Sequence, residues 1–497
     1  MKSFFILIFG IVLAIIIIVG VMFAFKICPP IGPWPTPPWC IASLQTKNVV
    51  PNDKQESTST VTTVNIKPKT AVVPAEDKNS ITMNDVLVTP TDINKIDYPK
   101  FYNTPAIVKA TIKDPYCAIT KEEVVYPVSY LGSHEFPQIK NAPLPAEISR
   151  IIGIKDTWVP EPNLNKSCYS SGYTATKQAY EKTLERVKVL GANQISFTNY
   201  VHFSDFKNAQ IDGPDKAAVS EGDLRFVADK ASKQNLKFIL YLNLAPGKQT
   251  VSDIPNSSWL STLTKNWEPF VLNQAKIAEE TGIYAIMINH FDYQPTIKGF
   301  EDTYQKEMTL LLQKMKTIYS GRVLLMIDPI WGADLSKLDL LLKQVDGFIY
   351  TPVTNILRNQ NDKTVSVNNL KTLYLDNFAG LGRDFNKYNK PIYIRILIQS
   401  SKEFLEKGWS EDMFCIMRGS EQCYQNKLEV DFGAQAIAYE AMLEAIAQIH
   451  NKHFTVGGVD SYGYWFTDVI LPSFSQPQIA QSIRNKPAES IIKAWFK

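Results

Sequence analysis

The sequence has 497 residues with a formal net charge of +3, and 20% of its residues are charged. This balance, without a clustered basic face, argues against nucleic acid as a partner. The apolar fraction of 45% is that of an ordinary globular protein.

The first element in chain order is a long apolar segment. Phe4 to Phe25 contains 22 residues and no charge, which is enough to cross about 30 Å of hydrocarbon. A cleaved signal peptide has a shorter apolar region and a small-x-small cleavage site, and neither is visible here. We therefore predict a transmembrane signal anchor over residues 1–27, retained in preference to a cleaved signal. The chain would cross the cell membrane once, with its bulk outside the cell.

The cysteines support this exterior location. They fall into three local pairs, which are Cys28 with Cys40, Cys117 with Cys168, and Cys415 with Cys423. An even number in local pairs suits an oxidising compartment, so we predict disulfides paired by proximity, with free thiols as the alternative. A metal site fits less well, because no CxxC occurs and no histidine is near any pair.

Two segments of different character follow the anchor. Residues 28–79 begin rich in Pro and Trp and continue rich in Thr, Ser, Val, Lys and Pro, which is typical of a disordered stalk. Residues 80–150 predict an N-terminal extension or small subdomain, in which Ala106–Ile112 and Glu123–Tyr130 are strand candidates.

Residues 151–497 alternate short apolar runs with amphipathic stretches, about eight times over. The strand candidates are Ile151–Ile154, Gln194–Asn199, Lys237–Asn243, Tyr284–Asn289, Arg322–Asp328, Gly347–Tyr350, Pro391–Gln399 and Val459–Phe466. The helix candidates are Thr174–Leu190, Trp259–Thr281, Phe300–Ser320, Leu335–Val345 and Gly433–Asn451. Apolar runs followed by helical periods indicate parallel strands with crossover helices. The fold class predicted is therefore α/β, as a closed (β/α)8 TIM barrel.

Functional residues in such barrels lie at the carboxyl ends of the strands and in the loops that follow. This rule selects candidate substrate-binding residues, which are Trp158, Asn199, His202, Asn243, Asn289, His290, Tyr293, Trp331, Tyr350, Arg395, Gln399 and Trp465. It also selects two candidate catalytic acids, Asp292 and Asp328. Aromatic faces stack on sugar rings, and amides and carboxylates bind hydroxyls, so the set favours a carbohydrate ligand. The alternative for each aromatic residue is that it merely closes the mouth of the barrel.

Other chemistries fit the sequence less well. Metal-dependent hydrolase barrels need several histidines, usually with an HxH pair, and this chain has five histidines and no HxH. No GxSxG, P-loop or GxGxxG motif occurs, and no lysine stands at a strand end for a Schiff base. We therefore expect neither a metal nor another cofactor.

Several stretches resemble the clan A glycoside hydrolases, closest to the β-mannanase-like barrels of family 113. They are "LERVKVLGANQISFTNYVHF", "FVADKASKQNLKFILYLNL", "WEPFVLNQAKIAEETGIYAIMI", "VDGFIYTPV", "KPIYIRI", "QAIAYEAMLEAI", "YWF" and "NKPAESIIKAWF". The resemblance covers roughly Ile151 to Phe496 and is carried by the order and spacing of the stretches. It implies a barrel that acts on β-linked polysaccharides.

The resemblance also implies two catalytic glutamates, and this chain departs from it at both. The family places an acid/base after strand four, where this chain has Asn289-His290-Phe291 and then Asp292. It places a nucleophile at the end of strand seven, where this chain has Arg395-Ile396 and no acid from Pro391 through Lys402. A retaining mechanism with a strand-seven nucleophile is therefore not supported.

Two interpretations follow, and a third class stays open. In the first, the protein is an O-glycosyl hydrolase that uses Asp292 as general acid and Asp328 as base or nucleophile. In the second, the barrel has lost catalysis and binds a polysaccharide or cell-surface glycan, and Arg395 favours this if it faces the lumen. Asp328 would then only cap a turn before Pro329. A structural cell-surface protein without a ligand is the third possibility.

Overall fold

The computed structural model describes the barrel region almost continuously and the segment before it in parts. The described residues are 81–83, 86–88, 107–112, 122–127, 134, 136–140, 143–154, 172–245, 253–289, 297–330, 332–408, 431–464, 481–484 and 486–497. The chain divides into two units, Met1–Thr70 and Ala71–Lys497, and all described residues belong to the second. Within them, no helix is long and apolar enough to cross a bilayer. The predicted anchor, stalk and six cysteines lie outside the described residues.

Four short strands precede the barrel in the sequence and form one antiparallel sheet in the order β2-β1-β3-β4. They are β1 (Ile81–Met83), β2 (Val86–Val88), β3 (Ile107–Ile112) and β4 (Glu122–Pro127). The strands β3 and β4 overlap the two strand candidates of this region. The boundaries of the predicted domains stay a prediction.

Eight parallel strands form a closed barrel, which confirms the predicted (β/α)8 fold. They are β5 (Ser149–Ile154), β6 (Gln194–Asp205), β8 (Lys237–Ala245), β9 (Ala285–Asn289), β10 (Arg322–Met326), β11 (Gly347–Tyr350), β12 (Ile392–Ile396) and β13 (Val456–Tyr464). The barrel closes because β5 pairs in parallel with both β13 and β6. A short strand, β7 (Gln210–Ile211), pairs antiparallel with the end of β6.

Helices follow the strands and cover the outside of the barrel. They are α1 (Gly172–Val189), α2 (Glu221–Lys233), α3 (Ser257–Thr281), α4 (Glu301–Lys316), α5 (Asp339–Gln344), α6 (Val367–Phe385), α7 (Phe404–Lys407), α8 (Phe432–Ile449) and α9 (Pro487–Trp495). Their ends follow ordinary capping rules. The side chain of Asn256 accepts a hydrogen bond from the Trp259 amide at the start of α3, and Gly282 ends that helix at φ 68°.

The lumen of the barrel is a packed core and not an open channel. Alternate strand residues face inward, and the buried side chains among them form a lumen cluster of Ile151, Ile239, Tyr241, Ala285, Met287, Leu324, Met326, Ile349, Tyr393 and Tyr462. The residues between them join the larger core under the helices. Because the lumen is filled, a ligand cannot pass through it and would meet the barrel interior only at its carboxyl-terminal mouth.

The closing helix α9 is tied to the first helix by a buried ion pair. The Arg186 guanidinium on α1 donates to both carboxylate oxygens of Glu489 on α9, at 2.9 and 2.7 Å. Both side chains are buried, with Arg186 5% and Glu489 0% exposed. The segment before the barrel also packs on this region, since the Leu144 amide donates to the Trp495 carbonyl at 2.9 Å.

Candidate functional site

A buried carboxylate, Asp460 on β13, gathers side chains from three other strands inside the lumen. Its Oδ2 accepts hydrogen bonds from Tyr241 Oη on β8 at 2.5 Å and from Ser196 Oγ on β6 at 2.9 Å. Arg395 on β12 is the residue paired with Asp460 in the strand register. Gly153 on β5 makes room for this group, because a Cβ there would lie 2.9 Å from Asp460 Oδ1.

Burial dominates the electrostatics of this carboxylate. Asp460 is fully buried, and loss of hydration raises its pKa to about 6 against the opposing effects of the Tyr241 hydrogen bond and the Arg395 charge. The pKa of Tyr241 lies well above its ordinary value, first because of burial and then because of the Asp460 charge. The lumen thus holds a carboxyl group that changes its charge near pH 6.

Arg395 lies in the lumen and packs against aromatic rings. Its Cζ lies 3.5 Å from the ring centroid of Tyr462 and 5.4 Å from that of Tyr241. These two rings are nearly parallel, at 21°, with centroids 6.3 Å apart. The Tyr462 hydroxyl is itself hydrogen-bonded to Thr198 Oγ1 at 2.9 Å. The guanidinium is therefore held in place by cation–π contacts in a buried setting, where such contacts are strongest.

Two buried amides, hereafter the mouth amides, lie near the carboxyl ends of barrel strands β8 and β12. Asn243 lies two residues beyond Tyr241 on β8 and is 0% exposed, and Gln399 lies three residues beyond β12 and is 2% exposed. Leu397 packs with the lumen cluster and Ile398 with the outer core, and Gln399 follows them beyond the end of the strand. Among the described residues, neither the oxygen nor the nitrogen of either amide has a hydrogen-bond partner.

These unpaired atoms are an energetic anomaly. A buried polar group without a partner costs about 1–3 kcal/mol, and native structures satisfy nearly all such groups with protein, water or ligand. Each mouth amide therefore holds a desolvated NH2 group and a desolvated carbonyl oxygen that no described residue satisfies.

Other predicted residues lie around the rim of the mouth. His202 stands near the end of β6, with its ring 5.1 Å from that of Tyr200 and its Nδ1 3.9 Å from Asp212 Oδ2. Burial lowers the pKa of His202, opposed by the charge of Asp212. Asp328 is exposed just after β10, and its Oδ1 accepts a hydrogen bond from the Thr351 amide at 3.0 Å.

Two predicted binding residues face away from the lumen. Asn199 is buried against α3, where its Nδ2 donates to Gln274 Oε1 and to the Val219 carbonyl, each at 3.1 Å. Tyr350 points toward α6 and its hydroxyl donates to Asn377 Oδ1 at 2.9 Å. Both side chains hold helices to the barrel, so the expectation that they line the mouth is corrected by the structure.

The remaining predicted residues lie at or beyond the limits of the described ranges. Asp292, Trp158, His290, Tyr293, Trp331 and Trp465 lie outside the described residues, and Asn289 is described as the last residue of β9. Of the two predicted catalytic acids, the structure therefore describes Asp328 alone. Within the described ranges, no group of three or more His, Cys, Asp or Glu side chains is arranged to hold a metal ion.

Most of the polar lumen residues were not predicted from the sequence. The predicted positions are strand ends, whereas the unpredicted residues lie within strands, and they are Ser196, Thr198, Tyr241, Asp460 and Tyr462. A signal was present, because a charged residue inside an otherwise apolar strand is rare and alternate polar residues in β6 share one face.

Comparison with known proteins gives similarity in fold. No protein-family model matches the chain, and no curated protein matches it. Among solved structures it is similar to a GH113 β-1,4-mannanase, with 15% identity, 70% of this chain and 99% of the other covered, and a TM-score of 0.49. A GH113 β-mannanase from Alicyclobacillus acidocaldarius has 13% identity, 70% and 97% coverage, and a TM-score of 0.47. An endo-β-1,4-mannanase from Thermotoga petrophila has 10% identity, 72% and 77% coverage, and a TM-score of 0.40.

These solved structures include members of the family that the sequence stretches resemble. Identities this low concern the fold alone. The closed parallel barrel seen in this chain establishes that fold by itself.

Proposed function

We propose that this protein is a membrane-anchored extracellular barrel that binds a β-linked saccharide at its mouth without hydrolysing it. The observation that carries the proposal is the pair of mouth amides, Asn243 and Gln399, which are buried near the carboxyl ends of their strands and without partners among the described residues. An amide donates and accepts hydrogen bonds, and each sugar hydroxyl does the same, so the two groups are complementary.

Arg395 supports binding over hydrolysis. The sequence resemblance places the nucleophile of a retaining glycosidase at this point of strand seven, and a retaining mechanism needs two carboxyl groups about 5–5.5 Å apart. Here the seventh barrel strand, β12, presents a guanidinium to the lumen, packed on the Tyr462 ring. A cation cannot attack an anomeric carbon, although it can donate hydrogen bonds to a bound sugar.

The location of the barrel outside the cell rests on the sequence. The uncharged segment from Phe4 to Phe25 is long enough to anchor the chain, and the six cysteines suit an oxidising compartment. An anchored barrel whose mouth faces outward would meet polysaccharides or surface glycans as its partners.

The test is a binding titration of the full chain with manno-, gluco- and chito-hexaoses, with reducing ends assayed in parallel. We expect one sugar series to bind without release of reducing ends. Asn243→Leu should weaken that binding about tenfold, since it removes up to two hydrogen bonds to the ligand. Without ligand, the same substitution should not lower the free energy of unfolding. It replaces an unsatisfied polar side chain with an apolar one of similar size.

The matched control is Asn199→Leu, an asparagine on the neighbouring strand β6 that faces α3. This variant should lose stability, because it breaks satisfied hydrogen bonds, and should keep its affinity for the sugar. Equal affinity in wild type and Asn243→Leu would refute the proposed site. Release of reducing ends that is lost in Asp292→Asn would show hydrolysis instead.

A further inference from the structure

A cavity of about 690 Å³ lies between the loop after β11 and helix α6. We call it the strand-six cleft, and its polar lining consists of Asn355, Arg358, Asn359, Gln360, Asp376 and Asn377. Asn377 lies in the middle of α6, and its Oδ1 accepts a hydrogen bond from the Tyr350 hydroxyl, so this wall of the cleft lies on the outer side of β11.

The loop that forms one wall of the cleft is held by backbone hydrogen bonds. The Leu357 amide donates to the Leu405 carbonyl at 2.8 Å, and the Arg358 amide donates to the Asn355 carbonyl at 2.9 Å. Lys363 Nζ donates to the Arg358 carbonyl at 2.8 Å. These bonds fix the shape of the loop through its main chain and leave its polar side chains directed to the cavity.

The chemistry of the lining matches a neutral ligand rich in hydroxyl groups. Arg358 only donates hydrogen bonds and Asp376 only accepts them, while the amides do both, so every hydroxyl orientation finds a partner. The positive charge of Arg358 balances the negative charge of Asp376, so the lining favours neither an anionic nor a cationic ligand. Val353, Ile356 and Leu373 add an apolar surface, and the described lining contains no aromatic ring.

We propose that the strand-six cleft is a second saccharide site that binds a distant part of the same polymer held at the mouth. The choice of ligand rests on the proposed function, whereas the cavity and its lining do not. Without an aromatic ring to stack on, the cleft binds short sugars weakly. Its contribution comes from linkage, because a polymer that spans both sites binds the second one as an intramolecular step.

The test compares a polymer with its hexasaccharide. The probes are soluble β-mannan, β-glucan and glycol chitin, each with the hexaose of the same sugar, titrated into the full chain. The cleft variant carries Arg358→Ala with Asp376→Ala, both at exposed positions. The control carries Arg383→Ala with Asp384→Ala, two exposed residues of opposite charge on the same helix that do not line the cleft.

The cleft variant should bind the polymer about tenfold to a hundredfold more weakly than the control and bind the hexaose equally well. Equal polymer affinity in the two variants overturns the proposal. The proposal is also overturned, in favour of a peptide site, if the cleft variant loses binding to an array of extended synthetic peptides while it binds the polymer as the control does.

The two proposals fail in different ways. If Asn243→Leu binds the hexaose as wild type does, the mouth site is refuted, and the cleft is still judged by its own variant on the polymer. If the wild-type chain binds none of the three polymers, both proposals are contradicted.

Discussion

Substitution of Asp460 by asparagine removes a buried negative charge from the barrel lumen with almost no change in shape. The carboxylate accepts hydrogen bonds from Tyr241 Oη and Ser196 Oγ, and an asparagine oxygen can accept the same two bonds. The effect of the substitution is therefore mainly electrostatic. The resulting change in the free energy of unfolding measures the cost of holding an ionised carboxyl group in the core of the barrel.

The magnitude follows from the pKa of Asp460, which burial raises from its ordinary 3.8 to about 6. A shift of about two units corresponds to about 3 kcal/mol. The folded protein holds this proton more tightly than the unfolded chain does. The stabilisation that comes from protonated Asp460 is therefore fully present below pH 4 and is lost as the pH rises through 6.

The assay is urea unfolding of the wild type and Asp460→Asn from pH 3.5 to pH 8. From pH 3.5 to pH 8, the free energy of unfolding of the asparagine variant should rise by about 3 kcal/mol relative to that of the wild type. Most of this change should fall between pH 4 and pH 6. Asp302→Asn serves as the control, because Asp302 is 78% exposed and its removal takes no charge out of the core. A difference between wild type and Asp460→Asn that is constant with pH would refute the reasoning.

Two further substitutions test the packing of the barrel. Glu489→Gln should lower the free energy of unfolding by about 3–5 kcal/mol, because it leaves the buried Arg186 without its charged partner; a loss below 1 kcal/mol in urea unfolding would contradict this. Gly153→Ala should destabilise the barrel strongly, since the new Cβ would lie 2.6 Å from a ring carbon of Tyr462. Gly222→Ala, which meets nothing within 4 Å, is its control and should unfold no more easily than wild type by thermal denaturation.

The fold was largely predictable because its strands are buried on both faces. Continuous apolar runs such as Lys237–Asn243 stand out from the amphipathic helices between them, and all eight runs became strands of the barrel. Helix α6 was not predicted. Its sequence carries Gly380 and Gly382, which weaken a helical pattern, and Gly382 is used for close contact, since a Cβ there would lie 3.1 Å from His453 Cβ.

The same burial on both faces limited the prediction of the site. A strand that is apolar on both sides does not reveal which residues face the lumen, and a shift of one position reverses every side chain. Asn199 and Asn243 looked equivalent as asparagines at strand ends, yet the first contacts α3 and the second faces the lumen. Asp460 was missed because it lies inside its strand, where only three-dimensional neighbours explain a carboxylate.

The central claim is that the mouth amides bind a sugar, and a crystal structure of the chain soaked with its best-binding hexaose tests it most directly. We predict an intact hexaose at the mouth, with a sugar hydroxyl within 3.2 Å of an amide atom of both Asn243 and Gln399. A sugar bound elsewhere, with both amides still unpaired or bonded only to protein, would contradict the account.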